Sequence, residues 1–427
     1  MTAVPAWQRM SWPAADFSRI PYSAFVDPAI HQAEQERIFR GPVWCYAALE
    51  AELPEPGDYV VTEIGDTPVV VARDLDGVVH AFVNRCAHRG TLLVRTPRGR
   101  ARDFTCVYHH WNYDLRGNLQ GVPFRRGLEG KGGMPRDFAL ADHGLKRLKL
   151  ASYRGVVFVS FAAAVEPLLD FLDQPMRRFL DNIFAKPIEV IGYVRQRIPA
   201  NWKLYYENLV DDYHGIMLHP FQATFGIARA TQEGGSIMDA QGRHRMVYVV
   251  HGTDSEDDAK AGYEGTTTYN TGLTLHDLSI ADFRDEIGDG RAIHMCAFFP
   301  NLLVQRLSNT LATRQIRPRS AGVYDLYWTY FGYRDDDPAL RLVRLKQINL
   351  VGPGGLVSME DGEAGRLLQL GIKGDHKDAH SVIEMGGVGD VPKVADHLVT
   401  EVSVRSFWKN WCELMGVGPA TPTARVV

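Results

Sequence analysis

The 427-residue sequence holds only five cysteines, Cys45, Cys86, Cys106, Cys296 and Cys412. So few thiols exclude a disulfide framework as the source of stability and favour a reducing compartment. Long hydrophobic runs are also missing. The stretch Gly155 to Val165 falls well short of the roughly 20 apolar residues that a membrane-spanning helix needs. The opening residues, MTAVPAWQRMSWPAADFSRI, lack a basic segment leading into an apolar one, so no signal peptide is expected. Positive charge is not in excess either. The formal net charge is −4 and there is no long basic block, which argues against a nucleic-acid partner. With 45% hydrophobic and 23% charged residues, composition points to a globular chain rather than a disordered, collagenous or coiled-coil one, and the thiols and opening residues to a cytoplasmic one. The length allows two to three cores.

What is present is concentrated in two constellations. The first lies between Asn84 and Trp111: Cys86-x-His88, then 17 residues, then Cys106-x-x-His109. Two soft thiolates and two imidazoles arrive as two matched pairs. A [2Fe–2S] centre is held this way when two histidines replace two cysteines on one iron. Tetrahedral zinc is the competing use of such a donor set, but its common spacings pair Cys with Cys and His with His. A chance grouping of core cysteines with surface histidines is the third reading.

Around this stretch the pattern is β. Asp58 to Gly65 and Pro68 to Ala72 read as strands, and Asp74 to Gly77 as a hairpin loop before the strand Val78 to Val83. Leu148 to Phe161 adds two strand-like runs. Before it, Asp27 to Arg40 reads as a short helix whose charges form a solvated face. Arg98, Arg100 and Arg102, between the ligand pairs, read as a solvated loop or as a docking edge for an acidic electron donor. Beyond residue 166 the signals change. Leu168 to Phe184 reads as helix and Val190 to Arg197 as strand. Ile293 to Val304, Asn309 to Ile316 and Val323 to Tyr333 read as strands of an antiparallel sheet. Asn349 to Val357 reads as strand and turn.

The second constellation is NWKLYYENLVDDYHGIMLHP, Asn201 to Pro220. It holds Glu207, Asn208, Asp211, Asp212, His214 and His219. Two histidines and a carboxylate suit a facial triad on non-haem Fe(II), which leaves positions open for dioxygen. His214 and His219 are five apart, which a regular helix does not place on one face. A helix end between them, permitted by Gly215, would bring them together. The pattern alone is equally that of a satisfied polar helix end.

Together these segments resemble a known family. Cys86-Ala-His88-Arg89-Gly90 with Cys106-Val-Tyr108-His109-x-Trp111 is similar to the Rieske motif of aromatic-ring-hydroxylating oxygenases. NWK, EN, Asp-x-Tyr-His and a histidine five residues later are similar to their mononuclear-iron segment. One departure is His110, where the family usually has glycine; His109 keeps the C-x-x-H spacing and is taken as the ligand. The resemblance spans nearly the whole chain and is closest to large (α) subunits acting on terephthalate, salicylate, anthranilate or halobenzoate, in segments such as RGPVWCYAALEAELPEPGDY and SVIEMGG.

The resemblance implies an α+β fold, with a small antiparallel β Rieske domain ahead of a catalytic domain built on an antiparallel sheet flanked by helices. The expected divisions are an N-terminal segment, 1–40, packing on the catalytic domain; a Rieske domain, 41–165; and a catalytic domain, 166–427. It implies a Rieske [2Fe–2S] cluster on Cys86, His88, Cys106 and His109, and mononuclear Fe(II) on His214, His219 and Asp361, the second acid of Met359-Glu360-Asp361-Gly362. Glu360 is the competitor for that place, and an ordinary helix N-cap the plain alternative for Asp361. Asp211 looks like the family's bridging aspartate, which links His214 to His109 of a neighbouring subunit; Asp212 is its competitor. Asn208 lies near the iron. Arg314 and Arg405 are the candidates to clamp a substrate carboxylate, against ordinary structural ion pairs. The implied activity is that of a terminal oxygenase hydroxylating an aromatic carboxylate with O2 and NAD(P)H electrons. These would come through a reductase, with or without a ferredoxin, to an α3 or, with a small β subunit, α3β3 oligomer. The rivals are a Rieske electron-transfer protein without oxygenase activity and, within the enzyme class, a monohydroxylase rather than a cis-dihydroxylating dioxygenase.

Overall fold

A computed structural model describes residues 6–374, 379–389 and 393–419. The chain divides into two units: Phe39–Leu168, and Met1–Ile38 together with Leu169–Val427.

In the first unit every strand pairing is antiparallel. A four-stranded sheet runs Val79–Val83, Thr67–Arg73, Asp58–Ile64, Arg98–Arg100. Two three-stranded sheets accompany it: Lys149–Tyr153, Val156–Ser160 and Cys45–Leu49; and Asp103–Thr105, Asn112–Asp114 and Leu119–Gly121. The expected hairpin loop forms because Asp74 Oδ1 accepts from the backbone N–H groups of Asp76 and Val78, at 3.0 and 2.9 Å. Tyr59, Phe82, Phe104, Trp111 and Tyr113 form one core cluster, and Cys86 and Cys106 belong to it.

The second unit is built on an eight-stranded antiparallel sheet. Its order is Ile188–Ile198, Val323–Tyr333, Thr310–Ser320, Leu302–Leu307, Arg291–Phe298, Arg245–Val250, Gly234–Met238 and Val394–Ala395. Beside it the helix restarts twice between residues 202 and 224. Asn201 caps Trp202–Val210 by accepting from Lys203 N. Asp211 caps Asp212–Met217 by accepting from Tyr213 N and His214 N. Pro220 opens Pro220–Thr224, where its missing N–H is harmless.

The structure departs from the sequence pattern at three places. The charges of the N-terminal helix do not all face water. Pro28–Glu34, capped by Asp27, ends in a fully buried Glu34. Its carboxylate accepts from Trp202 Nε1, Lys203 Nζ and Trp411 Nε1 at 2.8, 2.6 and 2.9 Å. A buried carboxylate needs this many donors, and they explain the Trp-Lys of the NWK segment. The helix expected over 168–184 is two, Leu168–Phe171 and Gln174–Ile183, because Pro175 is tolerated only in a first turn. Asn349 to Val357 is not a strand. Helix Pro338–Val351, capped by Asp337, runs through Asn349, and Leu356–Ile372 follows after a short turn. A Cβ at Gly355 would lie 2.2 Å from the Leu350 carbonyl oxygen, so this turn requires glycine.

Candidate active site and metal centres

The two cysteine-histidine pairs sit on matched loops. Cys86 N donates to Thr91 O and Gly90 N to Cys86 O; Cys106 N donates to Trp111 O and His110 N to Cys106 O, all at 2.9–3.0 Å. Each loop closes with a left-handed residue, Gly90 at φ 77° and His110 at φ 57°. That conformation accounts for the glycine usual at the second position. His110 is exposed, and it holds the position in its loop that Gly90 holds in the other. Both thiols are buried while His88 and His109 are exposed, with ring centroids 4.5 Å apart. Burial, together with the neighbouring Cys106 sulfur, pushes the Cys86 thiol pKa up. Two thiols inside and two imidazoles outside, on facing loops, suit a [2Fe–2S] centre with its histidine-bound iron toward solvent. Trp111 stacks flat on His88, with centroids 4.7 Å apart.

The second centre joins distant segments. Among the described residues, His214, His219 and Asp361 form the group of three whose donor atoms all lie within 4.8 Å of one another. The end of Asp212–Met217 falls between the two histidines and turns His219 back toward His214. Both Nε2 atoms face Asp361 Oδ1, at 3.5 and 3.4 Å. Both Nδ1 atoms are engaged elsewhere: His214 Nδ1 with the Asp211 carbonyl at 2.8 Å, and His219 Nδ1 with Glu360 Oε2 at 2.7 Å. Such partners fix which ring nitrogen points at a metal. Glu360 therefore meets the back of His219, while Asp361 lies in the group itself. Asn208 Nδ2 donates to Asp361 Oδ1 at 3.0 Å. Burial pushes the His219 imidazolium pKa down, but the Asp361 carboxylate and the Glu360 hydrogen bond outweigh it and raise it to about 9. Burial pushes the Asp361 carboxyl pKa up, but the two imidazoles outweigh it and hold it far below the ordinary range. Two imidazole nitrogens and one carboxylate oxygen, gathered around a small space, are a fit for Fe(II).

All three residues line one cavity, together with apolar side chains such as Val247, Ile293, Met295 and Leu307. A Cβ on Gly215 would meet nothing within 4 Å, so this glycine leaves room at the cavity wall.

Residues 43–132 match the Rieske [2Fe–2S] domain family, and residues 186–416 match the catalytic domain of the ring-hydroxylating alpha subunits. The chain belongs to the ring-hydroxylating oxygenase alpha subunits. It is 48% identical to the anthranilate 1,2-dioxygenase large subunit of Burkholderia cepacia, over 95% of both chains. It is 42% identical to subunit alpha 2 of the terephthalate 1,2-dioxygenase terminal oxygenase component of Comamonas sp, over 95% of this chain and 98% of that one. With the salicylate 5-hydroxylase large oxygenase component of Ralstonia sp it shares 41% identity over 96% and 97%. Naphthalene 1,2-dioxygenase from Rhodococcus sp. has a similar structure, with a TM-score of 0.78 and 25% identity over 93% of this chain and 94% of that chain. The oxygenase subunit is thus an oxidoreductase that uses a Rieske cluster and mononuclear iron.

Of the two arginines singled out by sequence, the oxygenase subunit brings one to the cavity. Arg314 lines it; Arg405 does not. Arg405 is buried in the helix Val402–Met415, and its Nη1 donates to the carbonyls of Ile383 and Met385 at 3.0 and 3.4 Å. Arg314 is 3% exposed; it donates to Gln305 Oε1 and Tyr205 Oη and lies 4.0 Å over the Trp328 ring. No carboxylate of a described residue pairs with it. Asp212 does not take the place of Asp211 beside His214: it pairs with Arg245, and both line the cavity. Arg245 went unread because it lies in an ordinary strand pattern 31 residues beyond His214. Tyr113 was missed too. Its hydroxyl accepts from Ala87 N and meets Cys86 Sγ at 3.3 Å, a contact that tunes a cluster's potential. Its one sequence signal is its place seven residues after Cys106.

Proposed function

We propose that this subunit is the terminal oxygenase that hydroxylates an aromatic carboxylate with O2, using NAD(P)H electrons delivered by a reductase, with or without an intervening ferredoxin. The observation that carries the substrate class is Arg314. A guanidinium that is 3% exposed, with no carboxylate of a described residue beside it, calls for an anion from the cavity it lines. Its planar fork suits a carboxylate in bidentate contact. The relatives named for anthranilate, terephthalate and salicylate, all ring carboxylates, support the same class.

We assign Cys86, His88, Cys106 and His109 to the cluster and His214, His219 and Asp361 to the iron. When bound, these groups supply single electrons and activation of dioxygen. The chain supplies position. Asp211 and Glu360 hold the two imidazoles with Nε2 forward, Asn208 orients the Asp361 carboxylate, and Arg314 anchors the acid with its ring over the apolar cavity floor. Asp211 keeps part of its carboxylate exposed. This supports the reading that it reaches a cluster histidine of a neighbouring subunit, in an α3 or α3β3 ring. Relatives named as large subunits or terminal components support a small β subunit and an external reductase. Three buried thiols outside the cluster, Cys45, Cys296 and Cys412, support a cytoplasmic setting, and no described helix is long and apolar enough to cross a membrane.

The test is a single turnover of reduced protein with labelled dioxygen and benzoate, salicylate, anthranilate or terephthalate. Labelled product from an acid is the expected result, with one or two labels separating hydroxylase from dioxygenase. Product from a neutral arene and from no acid would overturn the reading.

A further inference from the structure

We propose that Asp212 and Arg245 form a second recognition point in the cavity, which accepts a neutral hydrogen-bonding ring substituent and rejects a second carboxylate. The inference rests on the aromatic-acid reading above.

The geometry begins with strand register. Arg245 pairs with Ala297, Ala297 with Leu303, and Leu303 with Arg314, in one row across four adjacent antiparallel strands. Residues in such a row point to the same face. With strands about 4.8 Å apart, the two arginine Cα atoms stand about 14 Å from each other. Moving along the strands on the same face, Val247 and Met295 form part of the next row, and Val249, Ile293 and Leu307 part of the one after. These residues line the cavity. The floor is therefore an apolar surface with a guanidinium at each end of one border row.

The two guanidinium groups differ in charge balance. Arg314 has no anionic partner among the described residues. Arg245 is paired with the buried carboxylate of Asp212; it also donates Nη1 to the Leu209 carbonyl at 2.9 Å, and its Nε is buried without a partner. Arg245 and Asp212 are 5% and 4% exposed, so water screens neither of them. An acid arriving at Arg314 meets a cation held by neutral groups, with no carboxylate of a described residue beside it. A carboxylate arriving at the other end meets Asp212 together with Arg245, and gains no net attraction. Like charges brought together in a dry cavity repel strongly. A hydroxyl or amino group behaves differently. Either can donate to Asp212, and a hydroxyl can also accept from the unpartnered Arg245 Nε. A flat ring anchored by its carboxylate on Arg314 turns its far edge toward this pair. The preferred substrates are accordingly monocarboxylic acids with a hydroxyl or amino group on that far edge, and terephthalate is disfavoured.

The experiment compares kcat/KM for benzoate, 4-hydroxybenzoate and terephthalate in wild type, Asp212→Asn, Asp212→Glu and the double variant Asp212→Asn/Arg245→Gln. Cluster absorbance and iron content are verified in each. Asp212→Asn is expected to raise the terephthalate-to-benzoate ratio about tenfold or more and to lower the 4-hydroxybenzoate-to-benzoate ratio. Asp212→Glu should keep the wild-type ratios. The double variant should lose the terephthalate gain, because that gain comes from the freed Arg245. If Asp212→Asn lowers all three substrates by one common factor, the pair only supports the helix and the proposal fails. A terephthalate gain that persists without Arg245 sinks it equally. Wild-type protein that turns over a neutral arene and no acid would instead overturn the parent reading, and this one with it. Acid turnover with ratios unmoved by Asp212→Asn removes this proposal alone.

Discussion

The loops proposed for the cluster and the cavity proposed for the iron meet the same task, holding a metal with imidazole and an anionic donor, in opposite ways. The four donors proposed for the cluster lie within 24 residues, from Cys86 to His109. Each pair is fixed by its own turn, and its histidine is exposed. The donors proposed for the iron span residues 214 to 361, and His219 and Asp361 are buried. Short spacing and exposure suit a centre that must exchange electrons at a surface. Long spacing and burial suit one that must exclude water and select a ring. The first kind of site depends mainly on turn chemistry, the second on the packing of helices that are remote in sequence.

The largest expected effects test whether the two centres are independent. Cys86→Ser should abolish the cluster's visible and electron-paramagnetic signals with the mononuclear iron retained. Asp361→Ala should do the reverse and lower product formation by more than about 100-fold, beyond what outer partners typically contribute. Loss of both centres from either change would break the contrast. Glu360→Gln should weaken iron binding by roughly 10- to 100-fold, read by metal titration, with the cluster spectrum unchanged, because only the orientation of His219 is relaxed.

Arg314→Gln comes next. Loss of a buried charged contact to the substrate should raise KM for the acid about 10- to 100-fold. Arg405→Lys, away from the cavity, should leave KM within roughly twofold, and equal effects at the two positions would contradict their different placements. A smaller effect concerns Glu207, buried against Trp408 Nε1. Burial, with Asp211 and Glu401 adding to it, raises the Glu207 pKa to about 8 from an ordinary 4.5. The unfolded chain releases this proton first, so the stability contribution is full below about 4.5 and declines as pH rises toward 8. Glu207→Gln should match wild type in thermal melts near pH 5 and exceed it by about 3–5 °C at pH 8. Smallest is His110→Gly. Removing a non-glycine left-handed residue gains about 1–2 kcal/mol and loses about 0.5–1 to chain entropy, so a slight rise in melting temperature with an intact cluster is expected.

The sequence was most legible where partners are near in the chain. The matched C-x-H and C-x-x-H pairs, the Asp74 hairpin and the caps at Asn201 and Asp211 all act within a few residues. The Glu34 carboxylate read as solvated because its donors, Trp202, Lys203 and Trp411, come from segments up to 377 residues away. The stretch Asn349 to Val357 was misread because an apolar run at a helix end carries no periodicity of its own, and the Asp337 cap that starts that helix lies 12 residues earlier. Arg314 and Arg405 looked alike as arginines in apolar surroundings. Strand register carried one to the cavity, while loop carbonyls took up the other.

What the sequence by itself determined is the chemistry: soft and imidazole donors at fixed short spacings, a histidine pair interrupted by a helix end, and the absence of the apolar runs and disulfide pattern of other classes. Those are local properties, set by bond geometry and ligand type. What only the tertiary structure decided is selection among equals. Asp361 rather than Glu360 faces both imidazoles, Asp211 rather than Asp212 stands at His214, and Arg314 rather than Arg405 stands at the cavity wall, with no carboxylate of a described residue beside it. In each case adjacent or similar residues differ only in direction, and direction is set by helix phase and strand register once the core has packed.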